Sequence, residues 1–158
     1  MSQLEQTTPA DRVNQYAKPV GFRGNRRFLS NFQESKITMG KLTFRTAEHA
    51  YQAAKSLDPA DWKKIIACAS PGIAKRVGKS LKLRPDWEEI KLHIMREIIA
   101  AKFDQNPGLR ALLIGTGNEK LVEENGWGDT FWGMCNGVGQ NHLGHILMEY
   151  RDSTLMVG

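Results

Sequence analysis

Cysteine is scarce: Cys68 and Cys135 are the only two in 158 residues. They make no disulfide framework. With no CxxC spacing and no His/Cys cluster nearby, they suggest no zinc site either. Long apolar runs are also missing, and none approaches the roughly 18 residues of a membrane span. The opening MSQLEQTTPADR has no apolar segment, so no secretory signal is expected and a reducing cytoplasm is the default reading. GxSxG, HExxH, Walker A and EF-hand patterns are absent. Gly137-Val138-Gly139 has neither a preceding strand nor a third glycine, which argues against a dinucleotide fold. Neither a metal nor a cofactor is expected.

What is present is ordinary globular material, 41% hydrophobic and 25% charged. This excludes an acidic disordered tail, a collagen-like fibre and a mucin-like stalk. A domain of this length buries roughly 70% of its unfolded surface, so it folds without staples. Lys plus Arg number 22 and Asp plus Glu 17, a net charge of +5. That balance fits a phosphorylated or nucleic-acid substrate, though many soluble enzymes carry as much.

Residues 1–15 read as a frayed, flexible leader, and 16–158 as a single domain without repeats or linkers. Ile37, Met39, Leu42 and Phe44 around Met39-Gly40 predict a hairpin. At Thr46, a good N-cap, the period changes to helical, through Ala47, Ala50, Tyr51 and Ala54. Asp58-Pro59, Ser70-Pro71 and Asn106-Pro107 each start a helix. The longest helix spans about 86–104, with Trp87, Ile90, Ile94, Ile98 and Ala101 as its buried face. Leu121-Val122 is a candidate short strand, and a last helix runs through Leu143, Ile146, Leu147 and Tyr150. The expected fold class is α+β, mainly helical, with a small antiparallel sheet.

Two regions hold candidate chemistry. Glu48, Gln52 and Lys55 share one helix face at i, i+4 and i+7, a stripe that by spacing alone is most often solvated. The glycine-rich loop 126–139 carries Trp127, Asp129, Phe131 and Trp132. It reads either as a core-capping loop, with Trp132 buried and Asp129 making a turn, or as an aromatic wall for a base with a carboxylate beside it. His49 reads as structural. Lys75, Arg76, Lys79 and Lys82 form a basic patch, solvated or in contact with phosphate.

The motifs in order resemble the NADAR (YbiA-like) family. They are Phe28-Leu29-Ser30-Asn31-Phe32, the run Thr46–Lys55, Ala74–Gly78, Arg84–Trp87, Asp129 with Trp132-Gly133, Gly139–Gly144 and Leu147–Arg151. Together they span about residues 20–151. The resemblance implies a mainly helical α+β N-glycosidase with no metal. One branch of the family hydrolyses ribosylamino-pyrimidine phosphates, early intermediates of riboflavin synthesis. Another removes ADP-ribose from guanine in nucleic acid. A non-catalytic ADP-ribose-binding module is a third reading, which would tolerate loss of Glu48 but not of Trp132.

Carried over residue by residue, the resemblance implies Glu48, Asp129 and Lys55 as catalytic. Trp132 and Asn31 match family positions as well and are expected to contact substrate. Phe32, Gln52, Phe131 and Asn141 are further expected contacts, as is Arg23, although the cluster Arg23, Arg26 and Arg27 matches no family position. Met134–Val138 is this chain's own variant of a variable loop. Two carboxylates in one pocket would repel each other and raise one pKa, giving an acid and a base. Lys55 would form a Schiff base with the ring-opened sugar, or simply pair with a carboxylate or phosphate.

Overall fold

A computed structural model describes residues 21–156; the expected leader at 1–15 lies outside them. A 3₁₀ turn, Gly24–Leu29, leads into the hairpin of β1 (Glu34–Met39) and β2 (Leu42–Thr46). The strands are antiparallel, with Ile37 opposite Phe44 and Met39 opposite Leu42. Gly40 turns the chain at φ +60°, a conformation that costs glycine little. Alternation puts Ser35, Ile37 and Phe44 inward and Lys36, Thr38 and Thr43 outward.

Five short or medium helices follow: α1 (Ala47–Ala54), α2 (Pro59–Ile66), α3 (Pro71–Gly78), α4 (Trp87–Gln105) and α5 (Pro107–Ile114). α1, α2 and α3 start at side-chain caps, where Thr46, Asp58 and Ser70 accept from backbone N–H groups. The chain then runs through a long loop holding β3 (Glu124–Asn125) and β4 (Met134–Cys135). It closes with α6 (His142–Leu155).

α4 is the spine, packing against β1, α1, α5 and α6. Contact on several sides explains a departure from the expected stripe. Met95, Ile98, Ile99, Lys102 and Phe103 are buried with Trp87, whereas Ile90, Ile94 and Ala101 sit at the margin, half-buried. The other departure concerns Leu121-Val122, which is not a strand. Leu121 is buried, its N–H lies 3.5 Å from Met148 Sδ, and its carbonyl accepts from Asn141 Nδ2 at 3.0 Å. Its backbone polar groups thus go to side chains at α6 rather than to a ladder. Pairing occurs instead between β3 and β4, and it is parallel. The fold is mainly helical with a small antiparallel sheet, as expected. Among the described residues no helix is long and apolar enough to cross a membrane.

Candidate active site

α1 is buried on almost every side: residues 47 to 53 are all inaccessible, Glu48 and Gln52 included. The stripe that spacing alone makes solvated therefore faces a cavity. His49, on the other side of the helix, is structural. Its Nε2 lies 3.0 Å from the Cys68 carbonyl, which only accepts, so Nε2 carries the proton and donates. Nδ1 then accepts from Thr46 Oγ1 at 2.7 Å.

The cavity measures about 340 Å³. Glu48, Gln52 and Lys55 line it from α1, and Asn31 and Phe32 from the loop before β1. Asp129 and Trp132 line it from the long loop. Seven of the ten sequence-predicted site residues therefore meet in one space, the two acids 81 positions apart among them. Phe131 does not join them; it lies against His142, its ring centroid 4.6 Å away, under the Lys91 amine at 4.0 Å. Asn141 stands behind the wall. It adopts φ +52°, a left-handed conformation that asparagine tolerates, and its amide bonds Glu123 N–H at 2.9 Å and the Leu121 carbonyl at 3.0 Å. Arg23 is exposed in a different groove, and Arg27 lines the cavity instead.

Each acid is held differently. Glu48 donates its backbone N–H to the Asn31 carbonyl at 3.0 Å, and its Oε1 accepts from Gln52 Nε2 at 2.7 Å. Burial pushes its carboxyl above the usual range. Gln52, Lys75 and Lys55 pull it back, and repulsion from Asp129 adds the smallest contribution. Desolvation, not the expected carboxylate pair, is thus the main cause. Asp129 caps its own loop: Oδ1 accepts from Phe131 N at 3.1 Å and Trp132 N at 2.9 Å. Asn125 clamps the Asp129 backbone from both sides, at 3.0 and 2.8 Å. The turn reading and the pocket reading of this loop both hold, because one carboxylate oxygen serves the turn and the residue still lines the cavity.

Lys55 closes α1, half-buried, its amine 5.1 Å from the centre of the Tyr51 ring. Burial lowers its pKa first; Glu48 opposes this, and Lys75, Lys79 and Lys91 reinforce it. A partly desolvated amine of lowered pKa has a larger nucleophilic fraction at neutral pH.

Other wall residues were not among the expected site. Tyr51 accepts at its hydroxyl from Trp132 Nε1 at 3.2 Å, and burial drives its own pKa up. It lies three residues from Glu48 and four from Lys55, so the helical face already contained it. Glu123 is a third acid in the cavity, its carboxyl also raised by burial; no periodicity marks it. Lys75 and Lys79 of the basic patch reach the cavity from α3, and Trp127 stands at its edge. Arg27, Lys55, Lys75 and Lys79 make no ion pair among the described residues. Two buried oxygens here, Asn31 Oδ1 and Gln52 Oε1, have no hydrogen-bond partner among the described residues. Among the described residues no three His, Cys, Asp or Glu side chains gather as a metal site needs.

Comparison with known proteins agrees with this architecture. The NADAR domain model matches residues 18–155. The N-glycosidase YbiA of Escherichia coli is 43% identical over 129 residues, covering 78% of this chain and 79% of that one. A riboflavin biosynthesis protein of Vibrio vulnificus is 36% identical over 131 residues, 81% of this chain and 35% of its own. The NMR structure of E. coli YbiA superposes with a TM-score of 0.78 at 36% identity, over 90% of each chain. With a family model spanning nearly all of its length, the chain belongs to the NADAR domain family.

Proposed function

We propose that the protein is an N-glycosidase that hydrolyses the C1′–N bond of ribosylamino-pyrimidine phosphates, the intermediates of riboflavin synthesis. The observation that carries the proposal is the joining of a desolvated carboxyl, a second acid and a lysine amine in one cavity with several cations that form no ion pair among the described residues. The N-glycosidase and riboflavin names of the relatives support the reaction and the substrate class. Volume supports the smaller substrate: about 340 Å³ is at the low end for ligand pockets and suits one nucleotide-sized molecule better than an ADP-ribosylated base.

Breaking C1′–N builds positive charge on the sugar, as in other glycoside hydrolyses. Glu48, protonated more readily than an ordinary glutamate, gives its proton to the departing nitrogen. Asp129 faces the developing cation and takes the proton of the water whose oxygen ends on C1′, so the proton that Glu48 gives up is matched by one recovered from water. Lys55 offers a second route. Its amine bonds C1′ of the ring-opened sugar as the C1′–N bond breaks, and water then hydrolyses the imine. Arg27, Lys75 and Lys79 supply charge for the substrate's phosphate. Asn31 Oδ1, buried with no donor among the described residues, suits a sugar hydroxyl or an exocyclic amine.

The test is incubation with a ribosylaminopyrimidine phosphate and, separately, with ADP-ribosylated guanine in DNA, watching for free base or free ADP-ribose. Base release from the first substrate alone is expected; release only of ADP-ribose would overturn the substrate assignment. Borohydride added during turnover traps an enzyme–sugar adduct if Lys55 is the nucleophile. Full turnover with no trapped adduct removes the Schiff-base route.

A further inference from the structure

A nucleobase needs a flat apolar surface, and two indoles border this cavity. Trp132 is the less available of them. Its Nε1 donates to Tyr51 OH at 3.2 Å. Tyr51 and Phe131 meet it nearly at right angles, with ring centroids 5.5 and 4.8 Å away. His142 hems it in at 6.5 Å. A base laid against that ring would have to compete with three rings already packed there. The hydrogen bond also fixes its plane to α1.

Trp127 is the opposite case. It is 62% exposed, at the edge of the same cavity. An exposed indole is costly unless something covers it. Gly126 and Gly128 flank it, Gly128 at φ +83°, and a Cβ at either glycine would meet nothing within 4 Å. The backbone that carries the ring is therefore unhindered on both sides. The Lys75 amine, also at the cavity wall, lies over the ring at 5.5 Å from its centre. With Lys75 over the ring and most of the residue exposed, the indole is available to a ligand that shares its surface with that amine.

We infer that Trp127, not Trp132, is the ring on which the substrate's heteroaromatic base stacks. This rests on the proposed reaction for the identity of the base, but not for the existence of the platform. Trp132 then acts through Tyr51, bracing the wall beside Glu48. A base over Trp127 lies beside Lys75, so base and phosphate are held by neighbouring groups of one rim. Stacking is sequence-tolerant because every base has a π face. Trp127 therefore sets affinity for flat rings in general, and hydrogen-bonding groups deeper in the cavity select among them.

The test separates base from sugar. Binding of 5-aminouracil and of ribose 5-phosphate is measured by calorimetry for the wild type, Trp127→Leu and Trp127→Phe. KM and kcat are measured with a ribosylaminopyrimidine phosphate. Trp127→Leu is expected to weaken 5-aminouracil binding roughly 5- to 100-fold and leave ribose 5-phosphate within about twofold. It raises KM more than it lowers kcat, as loss of uniform binding does. Trp127→Phe, which keeps a flat ring, recovers most of the binding. Unchanged 5-aminouracil affinity in Trp127→Leu, or no measurable binding of that base by the wild type, overturns the inference. A wild type that binds 5-aminouracil through Trp127 yet releases no base from the ribosylated substrate overturns the proposed reaction and leaves the platform standing.

Discussion

The cavity has two unlike walls. One is helical: α1 presents Glu48, Tyr51, Gln52 and Lys55 from a single face, inside the protein. The other is a loop that holds its shape with side chains of its own, Asn125, Asp129 and Asn141 each bonding nearby backbone. The helical wall is rigid because its backbone is satisfied by its own ladder and its cap. The loop wall has no such ladder: it is held by the short β3–β4 pairing, scattered backbone bonds and these three short polar side chains. The difference divides labour: the desolvated acid sits on the wall that cannot move, and the exposed indole on the wall with glycine at its tip.

The sharpest way to probe the helical wall is Glu48→Gln, which removes the charge at nearly constant volume. Turnover is expected to fall roughly 100- to 10,000-fold while the melting temperature holds or rises, since a desolvated acid is removed. Near-normal activity would take Glu48 out of the chemistry. The loop wall is tested by Asn141→Ala. It deletes two buried hydrogen bonds and orphans Glu123 N–H and the Leu121 carbonyl, which should cost about 2–4 kcal/mol of stability. Activity should fall too, because Glu123 and the chain leading to Asp129 lose their anchor. A variant as stable as the wild type would mean the loop is held by something else.

Gly78→Ala bears on the join between the helices α1 and α3. A Cβ at position 78 would run into the amide of Gln52, the partner of Glu48. The expected cost is about 1–3 kcal/mol, with a KM or kcat defect if Gln52 is forced away from the acid. Recovery of the melting temperature by Gly78→Ala combined with Gln52→Ala would identify the clash as the cause; a single variant as stable and active as the wild type would show that the wall yields.

The two walls also differ in how legible they were. Hairpin, caps and helix starts follow from local chemistry, with Thr46, Asp58 and Ser70 acting as the residue types imply. The stripe of Glu48, Gln52 and Lys55 was readable as a face, but spacing does not say what covers a face, so it read as solvated. Only the family's motifs pointed inward. In the loop, motifs named Asp129 and Trp132, while Phe131, read into the same aromatic wall, packs on His142 and does not line the cavity. Asn141 was read as a contact, whereas its amide bonds the backbone of Glu123 and Leu121 behind the wall, a use that its letter does not distinguish from binding. Glu123 carried no signal, since nothing in its neighbours marks a two-residue strand or a buried acid.

The least visible feature is Lys102, fully buried on α4, with its amine donating to the Ser30 carbonyl at 2.9 Å. Ser30 begins the loop whose Asn31 carbonyl holds Glu48 N–H, so this amine stands behind the helical wall. Burial drops its pKa from 10.5 to about 7, and no neighbouring charge offsets the shift. Lys55 is also lowered, but it keeps the pull of Glu48. Between pH 7 and 10.5 the unfolded chain holds a proton on Lys102 that the folded chain lacks. Stability from this group is therefore fully present above 10.5, declines as pH falls towards 7, and is level below it. The slope approaches about 1.4 kcal/mol per pH unit within that window. Lys55 contributes a slope of the same sign, so the informative quantity is the difference between wild type and Lys102→Met. Denaturant melts from pH 6 to 10 should show the wild type gaining on the variant as pH rises above 7, with a constant difference between the two below it. Parallel profiles would mean that Lys102 stays charged in the fold and is balanced by a partner.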